Sequence, residues 1–111
     1  MIDERKFNRQ VDRNLKGIRL EKSGRSDEAI LLYEKNVNEH FIGNHPYDRL
    51  AIIYRKRKQY DDETRILQIA ILVYEKQVAS ASGVSKEFVS TKLERFKKRL
   101  TKALSLKSTS R

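Results

Sequence analysis

The sequence contains no cysteine, which excludes a disulfide framework and a thiolate metal site. One proline and four glycines leave few positions that interrupt regular structure. The N-terminus is charged, has no apolar signal core and carries no Gly after Met1, and no cysteine stands at the C-terminus for lipidation. We therefore expect a cytoplasmic protein built from long helices with short connections.

Long hydrophobic runs are also missing. The most apolar stretch, residues 66–74, is too short and too closely flanked by charge to span a membrane, so we expect no membrane partner. The chain has 111 residues, of which 38% are hydrophobic, and this suits one domain with a modest core. We expect that domain to cover residues 1–106 and residues 107–111 to form a frayed tail.

Motifs that would indicate catalysis are absent from the sequence. It has no Gly-rich phosphate loop and no recognisable nucleophile motif. His40 and His45 lie on either side of a turn and lack the spacing of a helical metal pair. The position of Asp61, Asp62 and Glu63 at a helix start explains these acids through the helix dipole. We expect no enzyme, no catalytic residue, no metal and no cofactor.

Helical periodicity is the strongest pattern, and it is clearest in residues 44–80. Pro46 suits the first turn of a helix. The basic run at 55–58 complements the C-terminal end of that helix, and the acidic run at 61–63 complements the start of the next. Residues 66–74 are apolar around most of the helix, which predicts that they are covered from more than one side.

The same plan precedes this hairpin, and one more helix follows it. A helix is predicted over about 3–22, and Ser26 is the predicted N-cap of a helix that runs to about His40. Gly83 closes the second hairpin, and Ser85 is the predicted N-cap of a last helix that ends near residue 105. The apolar stripe of that helix comprises Phe88, Val89, Leu93, Phe96, Leu100, Ala103 and Leu104. The fold class is therefore all-α, with about five helices in antiparallel hairpins.

The two hairpins align without gaps at an offset of 34 residues. Small residues such as Gly17 and Ala51 fall on the same position. The second copy matches a known repeat pattern at Tyr47, Leu50, Ala51, Tyr54, Tyr60, Leu67 and Ala70. The first copy matches it at Gly17, Leu20, Gly24, Ala29 and Tyr33. Over about residues 10–77 the sequence resembles the tetratricopeptide repeat family, whose helical hairpins have this period.

The resemblance implies two repeats, about 10–43 and 44–77, with a basic capping helix at about 85–105. Four residues depart from the family pattern. Arg13 and Lys16 replace an aromatic residue and a leucine in the first copy, and Asn36 is polar where a small apolar residue is usual. Glu63 replaces an alanine in the second copy. The alternative is a generic bundle of helical hairpins with an accidental register.

The resemblance also implies a non-catalytic adaptor or regulator that binds a peptide or helix of another protein. Its concave surface would be lined by the first helix of each repeat. In this sequence the outward positions of those helices include Asn14, Ile18, His45, Arg49, Ile52, Arg55 and Lys56. Their basic charge and two isoleucines favour an acidic, hydrophobic partner segment. For each residue taken alone, a solvated helix face explains its identity equally well.

The net charge of +10 suggests an alternative function. Most of the basic excess lies in residues 84–111, which contain nine basic and two acidic side chains. A basic stripe on one helix face is the electrostatic footprint of nucleic-acid binding, with candidate contacts at Arg95, Lys98, Arg99 and Lys102. A soluble capping helix explains the same charges. Because two repeats are few, a second copy of the chain is a further possible partner.

Overall fold

The computed structural model describes residues 3–110 of the chain. Over this range the chain forms five α-helices and no strand, which confirms the all-α class. The helices are α1 (Glu4–Lys22), α2 (Ser26–Asn38), α3 (His45–Lys56), α4 (Tyr60–Ser80) and α5 (Gly83–Thr109).

The described residues divide into two compact units, and the boundary falls after Leu50, within α3. In the first unit α1 packs against α2, and in the second unit α4 packs against α5. The single domain over residues 1–106 and its repeat boundaries stay predictions.

The first helix begins where its sequence predicts. Asp3 is the N-cap, and its carboxylate accepts hydrogen bonds from two backbone N–H groups of the first turn at 3.0 and 3.2 Å. The predicted N-cap of α2 is wrong, because α2 already includes Ser26 and the residue before it is Arg25. The Arg25 guanidinium forms an ion pair with Glu28 in the first turn of α2.

The turns after α1 and after α3 share one geometry. Gly24 and Lys58 both have a positive φ, of 75° and 59°. In each turn the next residue donates its backbone N–H to a carbonyl oxygen of the last helical turn at 2.8 Å, which is the Schellman arrangement. The following helices begin at Ser26 and Tyr60. Each of these pairs is 34 residues apart, so the local geometry recurs at the period of the sequence alignment.

A close approach of α1 and α2 explains the glycine in the middle of α1. Tyr33 of α2 is fully buried, and its ring lies against Gly17. A Cβ atom added to Gly17 would lie 2.5 Å from Cε1 of Tyr33, which is closer than real Cβ contacts come. The first unit therefore requires the smallest residue at this position.

A buried polar network joins the same two helices. Asn36 is fully buried, and its Nδ2 donates to the backbone carbonyl of Gln10 at 2.8 Å and to Oδ1 of Asn14 at 2.9 Å. Its Oδ1 accepts from Nη1 of Arg13 at 3.0 Å. The same Arg13 nitrogen lies 2.7 Å from Oε1 of Glu39. Two residues that depart from the repeat pattern, Arg13 and Asn36, are thus hydrogen-bonded to each other.

The core of the second unit is built from α4, α5 and the C-terminal half of α3. Ile66, Leu67 and Ala70 of α4 are fully buried. The ring of Tyr74 lies 5.3 Å from that of Phe96 of α5, measured between centroids. These contacts place the middle of α5 against α4.

The last helix is longer than its apolar stripe predicts. It begins at Gly83, with Ser82 rather than Ser85 as its N-cap, and continues to Thr109. The helix therefore includes residues 107–109 of the predicted frayed tail. Nζ of Lys107 lies 2.6 Å from Oδ1 of Asp61 at the start of α4, which gives this end of α5 a contact.

The apolar stripe of α5 is only partly buried. Leu93, Phe96 and Ala103 lie in the core, as the stripe predicts. Phe88 is 61% exposed and Leu104 is 46% exposed, so these two members of the stripe lie outside the core. Seven consecutive residues, 82–88, are exposed around the whole start of the helix, which explains why Phe88 has no core to enter.

Replacement of Gly17 by alanine tests the close approach of α1 and α2. Alanine has a helix propensity about 1 kcal/mol better than glycine. Because its Cβ would collide with the Tyr33 ring, we expect G17A to lower the free energy of unfolding by about 1–2 kcal/mol in urea denaturation.

The matched control for G17A is N8A, at an exposed position of the same helix, which should leave stability nearly unchanged. In the double variant G17A/Y33L the smaller leucine removes the collision. Its decrease in the free energy of unfolding should therefore be smaller than the sum of the decreases in G17A and Y33L. A G17A protein as stable as the wild type would show that the helices do not need this contact.

Candidate partner-binding surfaces

The predicted groove residues of the first unit are already engaged within that unit. Asn14 is buried, and its Oδ1 accepts the hydrogen bond from Asn36. The structure therefore corrects its placement from an outward groove position to the interior. Ile18, His45 and Arg49 are half-buried.

His45 and Arg49 belong to a four-residue cluster with Glu21 and Tyr33. Nη2 of Arg49 donates to Oε1 of Glu21 at 2.6 Å, and the Tyr33 hydroxyl donates to Oε2 at 2.6 Å. The His45 ring meets the Tyr33 ring edge-on, with centroids 5.4 Å apart. Because α1, α2 and α3 each supply a member, the cluster fastens the three helices of the first unit together.

The protonation states of this cluster follow from burial and charge. Burial raises the pKa of Glu21, but hydrogen bonds from Arg49 and Tyr33 outweigh it and hold that pKa below its usual value. Burial is the main cause that raises the pKa of the Tyr33 hydroxyl, and the hydrogen bond to Glu21 raises it further. Burial lowers the pKa of His45, against the attraction of Glu21. At neutral pH the arrangement therefore consists of one carboxylate, one guanidinium and two neutral rings.

The second unit contains a cavity of about 220 Å³ at the C-terminal end of α3. Helix α3 supplies most of its wall, α4 supplies one carboxylate and α5 supplies one guanidinium. The lining residues are Ala51, Ile52, Arg55, Lys56, Glu63 and Arg99. The cavity brings together three predicted groove residues and one residue that the sequence assigned to nucleic-acid contact, Arg99.

The wall of this cavity combines an apolar side chain with three cations. Ile52 is 41% exposed although it is large and apolar. Lys56 is exposed, and the Arg99 guanidinium carbon lies 5.4 Å from the centroid of the Phe96 ring. Arg99 therefore packs on an aromatic face that belongs to the core of the unit.

An ion pair forms the floor of the cavity. Nε of Arg55 donates to Oε2 of Glu63 at 2.7 Å, and only 2% of the Glu63 side chain is exposed. Nη2 of Arg55 and Oε1 of Glu63 are buried and have no hydrogen-bond partner among the described residues. A buried polar atom left in this state costs about 1–3 kcal/mol. The pair therefore keeps one buried donor and one buried acceptor unsatisfied.

Sequence reasoning missed the role of Glu63. It attributed this acid to the dipole of α4, and the structure adds a partner in α3. Two signals in the sequence pointed to the pair. Glu63 stands where the repeat pattern has alanine, and Arg55 precedes it by eight residues, across a tight turn.

A second surface lies on the outer side of α5. Helical spacing places Val84, Phe88 and the cations Arg95, Lys98 and Lys102 on one face. The three cations are exposed, and a shallow cavity of about 350 Å³ includes Val84, Phe88 and Arg95 in its lining. The predicted nucleic-acid set is therefore divided, because Arg99 lines the cavity on α3 while the other three members share the outer face.

Among residues 3–110, no group of three or more His, Cys, Asp and Glu side chains is placed to hold a metal ion. Within the same described range, no helix has the length and apolar character needed to cross a membrane.

Comparisons of the chain with protein-family models, with curated proteins and with solved structures find no match. The tetratricopeptide resemblance therefore stays a prediction from the sequence.

The pH dependence of stability tests the burial of His45. Because the folded-state pKa of His45 is lowered, the unfolded chain binds a proton that the folded chain does not as the pH falls below about 6.5. The free energy of unfolding should therefore decline from about pH 7 to pH 5. In H45Q this part of the decline should disappear, as measured by urea denaturation across that range.

The matched control is H40Q, at an exposed position, which should retain the wild-type decline. Glu21, Arg49 and Asp48 also act on His45 and are unchanged in both variants. An H45Q protein with the full wild-type decline would show that this ring does not titrate with folding.

Removal of Arg55 and removal of Glu63 should lower the stability of the protein by different amounts. Removal of Arg55 leaves the fully buried Glu63 without its cation, so R55M should lower the free energy of unfolding by about 3 kcal/mol. Removal of Glu63 leaves Arg55, more than a third of which is exposed to water, so E63A should cost clearly less.

Urea denaturation of both single variants and of R55M/E63A measures this asymmetry. The double variant should regain most of the free energy of unfolding that R55M loses, because no buried charge remains. Equal losses in the two single variants would contradict the buried state of Glu63.

Proposed function

We propose that this chain is a cytoplasmic, non-catalytic protein-interaction module that binds an acidic, hydrophobic peptide or helix of another protein. The observation that carries the proposal is the cavity on α3, where Ile52 stands exposed among the cations Arg55, Lys56 and Arg99. A tetratricopeptide-like adaptor or regulator is the form of module that the sequence pattern favours.

The charges that line the cavity favour a partner segment with negative charge. Three cations and one carboxylate line it, so its local charge is positive and an acidic segment is attracted. Two of the cations are arginines, whose planar forks match carboxylates better than a lysine ammonium does. An acidic side chain of the partner is therefore the natural contact for this part of the wall.

The exposed Ile52 adds an apolar contact beside the charges. When a partner binds, this apolar group would supply affinity and the charged rim would supply orientation. The recurrence of the same turn 34 residues apart supports a hairpin-repeat scaffold for this surface.

Nucleic-acid binding through the outer face of α5 is the second candidate. Arg95, Lys98 and Lys102 are exposed on one face, and Phe88 on the same face is 61% exposed. An exposed aromatic ring beside a row of cations is suited to base stacking along a single strand. Such binding would tolerate many sequences and would weaken steeply with salt.

Two matched double variants separate the candidates. I52Q/K56Q removes one apolar side chain and one cation from the α3 cavity, and F88Q/R95Q removes the same types from the outer face of α5. The assay is capture of proteins and nucleic acid from the native host's lysate by the tagged full chain, with and without nuclease, at about physiological salt.

We expect nuclease-resistant capture of a protein with an acidic, apolar segment. I52Q/K56Q should reduce that capture at least about tenfold, because it removes two contacts from the centre of the surface. F88Q/R95Q should leave it unchanged. If capture is lost with nuclease and is sensitive only to F88Q/R95Q, the outer face of α5 is the working surface and the first proposal is wrong.

A further inference from the structure

The unused donor and acceptor in the α3 cavity restrict the ligand more narrowly than charge does. Nη2 of Arg55 and Oε1 of Glu63 are both buried, and both belong to residues that line the cavity. Nε and Nη2 form one edge of the guanidinium, and the Glu63 carboxylate occupies only the Nε end of that edge. The other end has no acceptor and the second Glu63 oxygen has no donor. A small movement of the Arg55 side chain, 37% of which is exposed, would open both buried atoms to a ligand.

A peptide residue with an acidic side chain supplies both groups. Its carboxylate accepts from Nη2 of Arg55, and its backbone N–H donates to Oε1 of Glu63. Lys56 and Arg99 add positive charge to the wall, which offsets the repulsion between the ligand carboxylate and Glu63. A phosphate group also meets the cations, but it places more negative charge beside the Glu63 carboxylate than one acidic side chain does.

The size of the cavity fits a single acidic residue of a peptide. Its volume of about 220 Å³ lies below the range of about 300–1,000 Å³ that drug-sized ligands occupy. It therefore suits a single residue, with the exposed Ile52 at the edge for an apolar neighbour of that residue.

We propose that the α3 cavity is a subsite for one acidic residue of a bound peptide, read by the Arg55–Glu63 pair through the carboxylate and the backbone N–H together. This inference rests on the proposed function and specifies the residue that the module recognises. It also gives the buried pair a use that a purely structural ion pair would not need, because its two unused atoms are satisfied only when the peptide is bound.

The direct probe is a capped dipeptide, acetyl-glutamyl-leucine amide, titrated into the isotope-labelled full chain. The readout is the side-chain Nε–H signal of Arg55 in nitrogen–proton correlation spectra. We expect this signal to shift saturably. Each of three comparison probes lacks part of the dipeptide. The glutamine analogue lacks the charge, and the analogue methylated on the glutamyl nitrogen lacks the N–H. Inorganic phosphate lacks both the peptide group and the apolar neighbour for Ile52.

Each comparison probe should bind at least about tenfold more weakly than the glutamyl dipeptide. Among variants, R55K keeps a cation beside Glu63 but lacks Nη2, so it should stay folded by circular dichroism and lose binding about tenfold. Because R55K has no Arg55 signal, its binding is followed through the backbone N–H signals of the same spectra. R99Q should weaken binding by a smaller factor, and R95Q, on the outer face of α5, should bind like the wild type.

An absent shift of the Arg55 signal, or equal binding of the glutamine or methylated analogue, would overturn the subsite. Tighter binding of phosphate would also overturn it and would indicate a general anion site. These failures are distinguishable from failure of the proposed function. If I52Q/K56Q still abolishes protein capture while the dipeptide does not bind, the module stands and only the acidic-residue subsite is wrong.

Discussion

The structure depends on buried polar side chains that find partners on a neighbouring helix. In the first unit the amide of Asn36 is satisfied entirely by groups of α1, among them Asn14 and Arg13. In the second unit the carboxylate of Glu63 is satisfied by Arg55 at one oxygen only. Because an unpaired buried polar group is costly, these contacts fix which helix faces meet, and the incomplete pair is where we propose that a ligand adds what is missing.

Polar side chains form two kinds of arrangement within this chain. The cluster of Glu21, Tyr33, His45 and Arg49 is closed, since its members serve one another within the first unit. The α3 cavity has an exposed isoleucine, and two of its lining residues, Arg55 and Glu63, keep a buried donor and a buried acceptor unused. A closed cluster specifies packing, whereas unsatisfied groups can still bind a partner. This difference is why we propose a binding site on α3 rather than in the first unit.

The helices were predictable from periodicity in the sequence, whereas two of the predicted N-caps and the features that depend on long-range contacts were not. The bounds of α1, expected near 3–22 and observed as Glu4–Lys22, follow from periodicity and from a cap beside the helix in sequence. The burial of Asn14 depends on an amide 22 residues away, and the role of Glu63 depends on a cation in another helix. The exposure of Phe88 likewise depends on what packs against the start of α5, where residues 82–88 are all exposed, and an apolar stripe cannot indicate this.

Site-specific photo-crosslinking in cells of the native host tests the central claim most directly. A photoreactive aromatic residue at Ile52, beside the cavity, is compared with the same residue at Leu31, which is exposed on α2. The account predicts a discrete protein adduct from position 52 alone, with the cross-link mapped by mass spectrometry to an acidic, apolar segment of the partner. Adducts only to nucleic acid, or equal adducts from both positions, would contradict it.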